Sequence, residues 1–277
     1  MNIAEAIAEG LATLPTREGI PDPRREALWL LAAAWGVDET TLRLHPDREL
    51  PVEVDRRYRD WLRRRAAGEP AHHLTGFCPF FGRDFEVSPA VLVPRPETEL
   101  LVETALQLPL HNEARVLDVG TGSGCIALTL AAERPRWRVS AVDRSPAEMG
   151  VALRNREKHG VGVPFFLGDL ASAVDARWDL VVANLPYVSA DGIGRIAVEV
   201  RHDPVMALDG GFDGLDLVRR FLADLPRILR ICGGAILEIG EGQAEAVTEL
   251  ANAAGLAVAR RVRDLGGVER VIVLQPR

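Results

Sequence analysis

Long apolar runs are missing from this 277-residue chain, and none approaches the ~20 residues that a bilayer-crossing helix requires. Cysteine is scarce: Cys78, Cys125 and Cys232 are odd in number, far apart and contain no CxxC pair. That argues against both a disulfide framework and a zinc site. The six histidines show no ligand spacing either, so no metal is expected. Basic charge is not in excess, since 33 basic against 40 acidic residues leave a net charge of -7. Such a balance disfavours a protein that grips long nucleic acid through its whole surface. Lysine is nearly absent, Lys158 being the single one. No targeting peptide is expected, since MNIAEAIAEGLATLPTREGI carries acids where one would be basic. A cytoplasmic protein is expected, with reduced thiols. What is present is a 47% hydrophobic chain long enough for one large or two unequal domains, the size range of an enzyme core.

Residues 1 to about 70 carry helical patterns and no convincing strand. Asp22-Pro23 before RREALWLLAAAWG predicts a helix with Asp as N-cap, Pro at its first position and Gly36 near its end. Further helices are predicted at 2–14, 38–44 and 51–67. The last holds six arginines between 56 and 65, interleaved with Tyr58, Trp61 and Leu62 at helical spacing. A solvated face opposite an apolar stripe is the reading adopted, over a docking surface for an acidic partner. GFCPFFGRDFEV at 76–87 suggests a hairpin around Gly82, and Pro89, Pro94 and Pro96 mark a linker. The expected organisation is a helical substrate-recognition domain (1–75), a hairpin and linker (76–95) and a catalytic domain (96–277).

From there strands alternate with helices. Strands are predicted near 115–119, 138–143, 163–168, 179–183, 234–239, 256–263 and 269–275, with helices between the first five. This α/β alternation predicts a Rossmann-like, mostly parallel sheet that binds ligands beyond the carboxyl ends of its strands. The short RDLGG turn between the last two strands predicts a terminal antiparallel hairpin.

The chemistry collects at those strand ends. Gly120-Thr121-Gly122-Ser123-Gly124 follows the first strand and opens a helix, so its backbone can approach a ligand closely and offer N–H donors. A dinucleotide fingerprint would place its third glycine at Cys125, which argues against a nicotinamide cofactor. Asp143 ends the second strand, where a carboxylate can accept from two ribose hydroxyls or cap the next helix. Asp169 and Leu170 follow the third strand; the acid faces either an adenine amino group or solvent. Asn184-Leu185-Pro186-Tyr187 end the fourth. There an Asn side chain and a neighbouring main-chain carbonyl can hold a planar NH2 by both hydrogens, with Tyr187 as an aromatic wall. No His or Lys is clearly placed as a base. The expected catalytic set is Asn184, Leu185, Pro186 and Tyr187. The expected cofactor set is Gly120, Thr121, Gly122, Ser123, Gly124, Asp143, Asp169, Leu170 and Asn184.

These residues look like a class I S-adenosylmethionine-dependent methyltransferase. More narrowly, the chain resembles the release factor glutamine methyltransferases, the PrmC/HemK family. The resemblance runs nearly the full length through GEPAHHLTGFCPFFGRDFEVSPAVLVPRPETELLVE at 68–103, VLDVGTGSGCIAL at 116–128, NLPY at 184–187 and RHDPVMALDGGFDGLDLVRRF at 201–221. VPRPETE at 93–99 is the most family-specific. The resemblance implies S-adenosyl-L-methionine as cofactor, peptide chain release factors as protein substrate, and methylation of the glutamine amide nitrogen in their Gly-Gly-Gln motif. It implies that Gly120 to Gly124 contact the methionine and ribose parts, Asp143 the ribose, Asp169 and Leu170 the adenine surroundings, and Asn184 the glutamine amide. Neither a membrane nor stable nucleic-acid binding is expected. Two positions depart from the pattern: NLPY stands where the family usually has NPPY, a variant also common in adenine-N6 RNA methyltransferases, and Leu170 stands where an aromatic is frequent.

Overall fold

A computed structural model describes residues 1–17, 19–172, 174–194 and 196–277. By spatial contact the chain divides into two units: Met1–Phe77 with Ile196–His202, and Cys78–Arg195 with Asp203–Arg277.

The first unit is helical. It contains α1 (Ile3–Thr13), α2 (Pro23–Trp35), α3 (Glu39–Leu44), α4 (Val52–Ala66) and α5 (Ala71–Thr75). The first four lie where the sequence predicts helices, and α5 was not anticipated. Asp22 caps α2 by accepting from the N–H groups of Arg24 and Arg25, Pro23 opens it, and Gly36 closes it at φ 75°. Ile3, Leu30, Leu31, Tyr58 and Leu62 meet in the core of this unit. The arginines of α4 follow the solvated-face reading. Arg56, Arg59, Arg63 and Arg64 pair with Glu53, Asp55, Asp60 and Glu69 on or beside their own helix. Arg65 differs: it is buried and bonds Glu26 at 2.5 Å, Glu199 at 2.7 Å and the Gly19 carbonyl at 2.8 Å. Glu199 explains why the short 196–202 segment belongs with the helices.

Next in the chain is a two-stranded hairpin, β1 (Phe77–Phe80) and β2 (Arg83–Glu86), which from Cys78 on belongs to the second unit. Its turn residues Phe81 and Gly82 both have positive φ, 51° and 71°, as a two-residue hairpin turn that matches strand twist requires. There follow α6 (Pro96–Gln107), β3 (Arg115–Val119), α7 (Cys125–Glu133), β4 (Arg138–Asp143), α8 (Pro146–His159), β5 (Phe165–Leu167), β6 (Trp178–Ala183), α9 (Ala190–Ile193), α10 (Asp216–Ile228), β7 (Leu229–Glu238), α11 (Ala244–Ala253), β8 (Leu256–Arg263) and β9 (Glu269–Pro276).

Among the described residues the sheet order is β5-β4-β3-β6-β7-β9-β8, parallel from β5 to β7 and antiparallel around β9. Strand residues alternate between two cores. Leu117, Val181, Ala183 and Leu237 join α10 and α11 on one face; Val116, Leu180, Val182 and Ile236 join α6 and α7 on the other. One expectation is corrected: between β5 and β6 no helix occurs among the described residues. Leu170 has φ 50°, which is not right-handed helical backbone. Arg227 of α10 donates to the carbonyls of Ala171 and Val174.

Candidate active site

The first four strand ends of the parallel sheet converge on a cleft as the sequence predicts. Gly120, Thr121, Gly122, Ser123, Asp143, Asp169, Leu170, Asn184, Leu185 and Pro186 all line it. Gly124 and Tyr187 do not line it.

The glycine turn needs its glycines. Gly120, Gly122 and Gly124 have φ of 75°, 54° and 82°, all in the left-handed region. A Cβ on Gly120 would sit 3.2 Å from Leu185 Cδ2, so the absence of a side chain there lets the NLPY segment approach the turn closely. Two acids shape this turn from within. Asp118 Oδ2 accepts from Thr121 Oγ1 at 2.6 Å and from Ala127 N at 3.2 Å, the latter in the first turn of α7. Asp143 Oδ2 accepts from Gly122 N and Oδ1 from Ser145 N, both at 2.9 Å. Some helix-start N–H groups expected to face a ligand are therefore already partnered. Ser145, not Asp143, caps α8, accepting from Glu148 N. Asp143 is thus brace and wall together; each of its oxygens keeps a second acceptor site.

Burial raises several carboxyls here. It pushes Asp118 up to about 7 against the pull of the Thr121 and Ala127 hydrogen bonds, with the charge of Asp143 adding to the rise. Glu148, which lines the cleft, is pushed up to about 8 by burial first and by Asp143 second. Asp169 bonds Arg220 of α10 through Oδ2, while its buried Oδ1 has no partner. Leu170 is buried in the adjoining core and presents an aliphatic wall.

At the nucleophile end, Asn184 Nδ2 donates to Thr98 Oγ1 at 3.0 Å. An amide whose NH2 is held in this way leaves its oxygen to accept. Leu185 is buried and packs in the core, so its side chain serves stability and only its main chain is free for a polar role. Tyr187 lies beside Gly240, whose Cβ would come 3.1 Å from Tyr187 Cδ2. Burial, then the charge of Glu238, pushes its phenol up to about 12.

VPRPETE is a bracket. Glu99 Oε1 accepts from Phe81 N at 2.6 Å, tying α6 to the hairpin. Thr98 holds Asn184, and Arg95 pairs at 2.5 Å with Asp203 of the RHDP segment. Asp203 also accepts from Val93 N at 3.4 Å; burial pushes it up to about 6 although Arg95 pulls the other way. Sequence reasoning missed Thr98, Glu148, Asp118, Arg95 and Glu238 as site residues. Thr98 and Arg95 sat inside a quoted motif, whereas Glu238 lay within the predicted 234–239 strand with no local sign of burial.

The lining suits a cationic nucleoside. The glycine turn removes Cβ atoms where a ligand would approach, Asp143, Glu148 and Asp169 supply acceptors, and Leu170 supplies an apolar face. Among the described residues no cluster of His, Cys, Asp or Glu could hold a metal, and no helix is long and apolar enough to cross a membrane.

Comparison with known proteins agrees with these features. Residues 5–76 match the PrmC N-terminal domain and residues 96–203 the methyltransferase small domain. A release factor glutamine methyltransferase of Pseudomonas aeruginosa is 44% identical over 257 residues, covering 92% of this chain and 93% of the relative. One of Geobacter sulfurreducens is 40% identical over 257 residues, covering 92% and 90%. A methyltransferase structure from Pyrococcus furiosus superposes with a TM-score of 0.56 at 19% identity, over 70% of this chain and 89% of that one, a likeness of fold.

Proposed function

The chain belongs to the release factor glutamine methyltransferases, and from that premise we propose that it methylates the side-chain amide nitrogen of the glutamine in the Gly-Gly-Gln motif of peptide chain release factors. It is a methyltransferase whose cofactor is S-adenosyl-L-methionine. When bound, that cofactor supplies a methyl carbon made electrophilic by its sulfonium.

The protein's own contribution is positioning and exclusion of water. The Gly120 to Gly124 turn, Asp143, Asp169 and Leu170 form the half that holds the cofactor. Asp143 is suited to the ribose hydroxyls, and the partnerless Asp169 Oδ1 to an amino group at the far end. Asn184 and the Leu185 carbonyl form the other half. A glutamine amide nitrogen is a poor nucleophile because its lone pair is delocalised into the carbonyl. Two acceptors on its two hydrogens turn the nitrogen and favour the positive charge that develops on it in the transition state. Because position 185 acts through its main chain, leucine serves where the family usually has proline. Pro186 fixes the turn that follows, and Tyr187 supports it from behind. We assign substrate recognition to the N-terminal helical domain, 1–75, and catalysis to 96–277.

The observation that carries this reading is the Asn184 amide held by Thr98 with its oxygen unclaimed, at the rim of a glycine-turn cleft. The test is methyl transfer from labelled S-adenosylmethionine to a purified bacterial release factor, beside the same factor with the Gly-Gly-Gln glutamine replaced and beside ribosomal RNA. Label on the intact factor alone is the expected result. Label on RNA alone would overturn it in favour of adenine-N6 methylation.

A further inference from the structure

Residues 208–214, LDGGFDG, have no part in the chemistry described so far, yet they are strapped to the chain that leaves Asn184. Val188 N donates to the Leu208 carbonyl, Gly210 N to that of Val188 and Ala190 N to that of Gly211, each at 2.9 Å. Gly214 comes closer still. A Cβ there would stand 2.3 Å from the Tyr187 carbonyl oxygen and 2.9 Å from Gln243 Nε2, and its φ is 80°. A residue without a side chain is what lets these groups meet.

Gln243 closes the junction. It is the N-cap residue of α11, in the connection that leaves β7. Its Nε2 donates to the Tyr187 carbonyl at 3.0 Å and to that of Gly214 at 3.5 Å, while its Oε1 accepts from Gly240 N at 2.9 Å. A carbonyl only accepts and an N–H only donates, so this amide cannot be reversed without losing all three partners. Gly240 serves the same junction: a Cβ there would lie 3.0 Å from Gln243 Oε1 and 3.1 Å from Tyr187 Cδ2. The amide thus ties the loop after β7 and the Gly214 turn to the last carbonyl of Asn184-Leu185-Pro186-Tyr187.

Such a tie bears on the methyl acceptor. At the near end of the turn Thr98 holds the Asn184 side chain, and the ring of Pro186 fixes its own φ. Leu185 stands where the family usually has a further proline, so the backbone of the residue proposed to offer its carbonyl is not locked by a ring. An acceptor misplaced by about 1 Å costs a transfer reaction on the order of 10²-fold, so the far end of the turn has to be held from outside. We propose that Gln243 is the positioning residue that fixes the Tyr187 carbonyl, and through it the aim of the Leu185 carbonyl and the Asn184 amide at the substrate nitrogen. This rests on the reading of Asn184 and the Leu185 carbonyl as acceptors for the substrate NH2.

The experiment compares Gln243→Met and Gln243→Glu with the parent and with Asn184→Ala. Single-turnover methyl transfer to a release factor is followed between about pH 5 and 8.5, and cofactor affinity is measured by calorimetry. Methionine keeps the length of the side chain and loses its hydrogen bonds. The rate of Gln243→Met should fall on the order of 10- to 10²-fold at every pH, with cofactor affinity within about twofold of the parent. The carboxylate introduced by Gln243→Glu only accepts, and so sets a lone pair against the Tyr187 carbonyl; once protonated it donates there and still accepts from Gly240 N. Its rate relative to the parent should therefore match that of Gln243→Met above neutral pH and recover by about fivefold or more toward pH 5. Should one variant fail to fold, the other carries the test alone: rate against affinity for Gln243→Met, the pH course of the ratio for Gln243→Glu. Near-normal rates in both beside an inactive Asn184→Ala would overturn the proposal and leave the glutamine reading standing. Equal losses of rate and cofactor affinity, or a Gln243→Glu ratio flat with pH, would overturn it as a merely structural effect. An active Asn184→Ala would instead strike the underlying reading, and the proposal with it.

Discussion

Leu185 separates what a side chain does from what its backbone does. Its side chain is buried against the glycine turn and core, while the role proposed for the position belongs to its carbonyl. Leu185→Ala is therefore expected to cost about 2–4 kcal/mol of stability by leaving a cavity, measured by urea unfolding. Its turnover at a temperature where it stays folded should remain within about tenfold of the parent, since the carbonyl is kept. Asp143 was legible at this scale because it closes a strand after a glycine turn. Glu238 was not, because a lone acid in one sequence carries no sign of burial; only the register of β6 and β7 brings it beside Asn184. The bracing of Gly122 by Asp143 was hidden for the same reason: which lone pair meets which N–H is a property of the folded turn.

Among the elements, α4 shows how one helix carries two kinds of arginine. Arg63 is exposed and pairs with Asp60 one turn earlier, an arrangement generally worth about 0.5 kcal/mol or less. Arg65 is buried among Glu26, Glu199 and main-chain carbonyls. Removing it leaves two carboxylates facing one another without their cation. Thermal and denaturant unfolding should accordingly place Arg63→Ala within about 0.5 kcal/mol of the parent, and Arg65→Ala about 3–5 kcal/mol below it. Equal effects would contradict this assignment. The helical periodicity, caps and most strand positions were readable because they are local: Asp22-Pro23, the glycines after β3 and the alternation of the parallel strands each act over a few residues. That no helix lies between β5 and β6 among the described residues was not readable. The alternation of strand and helix implied one, whereas Leu170 takes left-handed backbone and Arg227 holds the carbonyls of Ala171 and Val174. VPRPETE was visible as a family mark, yet its physical work of tying hairpin, Asn184 and RHDP together appears only in three dimensions.

For the whole molecule, four buried carboxyls set a pH dependence. Burial raises Asp203 to about 6, Asp118 and Glu238 to about 7 and Glu148 to about 8, all above their values in the unfolded chain. Each group binds its proton more tightly folded than unfolded. Its stabilising contribution is complete below the unfolded value near 4 and is lost as pH rises through the folded one. The melting temperature without cofactor should therefore fall by roughly several degrees between about pH 5.5 and 8.5. Asp118→Asn should flatten that slope, and an unchanged slope would contradict the burial of this acid as its cause.

The central claim is that one sheet edge divides its work: the glycine turn and Asp143 hold the cofactor, while Asn184 orients the amide that receives the methyl. The most direct test compares cofactor affinity and single-turnover rate in the same preparations of the parent and Asn184→Ala, with a release factor as substrate. The account predicts affinity within about threefold and a rate lower by on the order of 10²–10³-fold. A rate within a few-fold of the parent, or a loss of affinity matching the loss of rate, would contradict it.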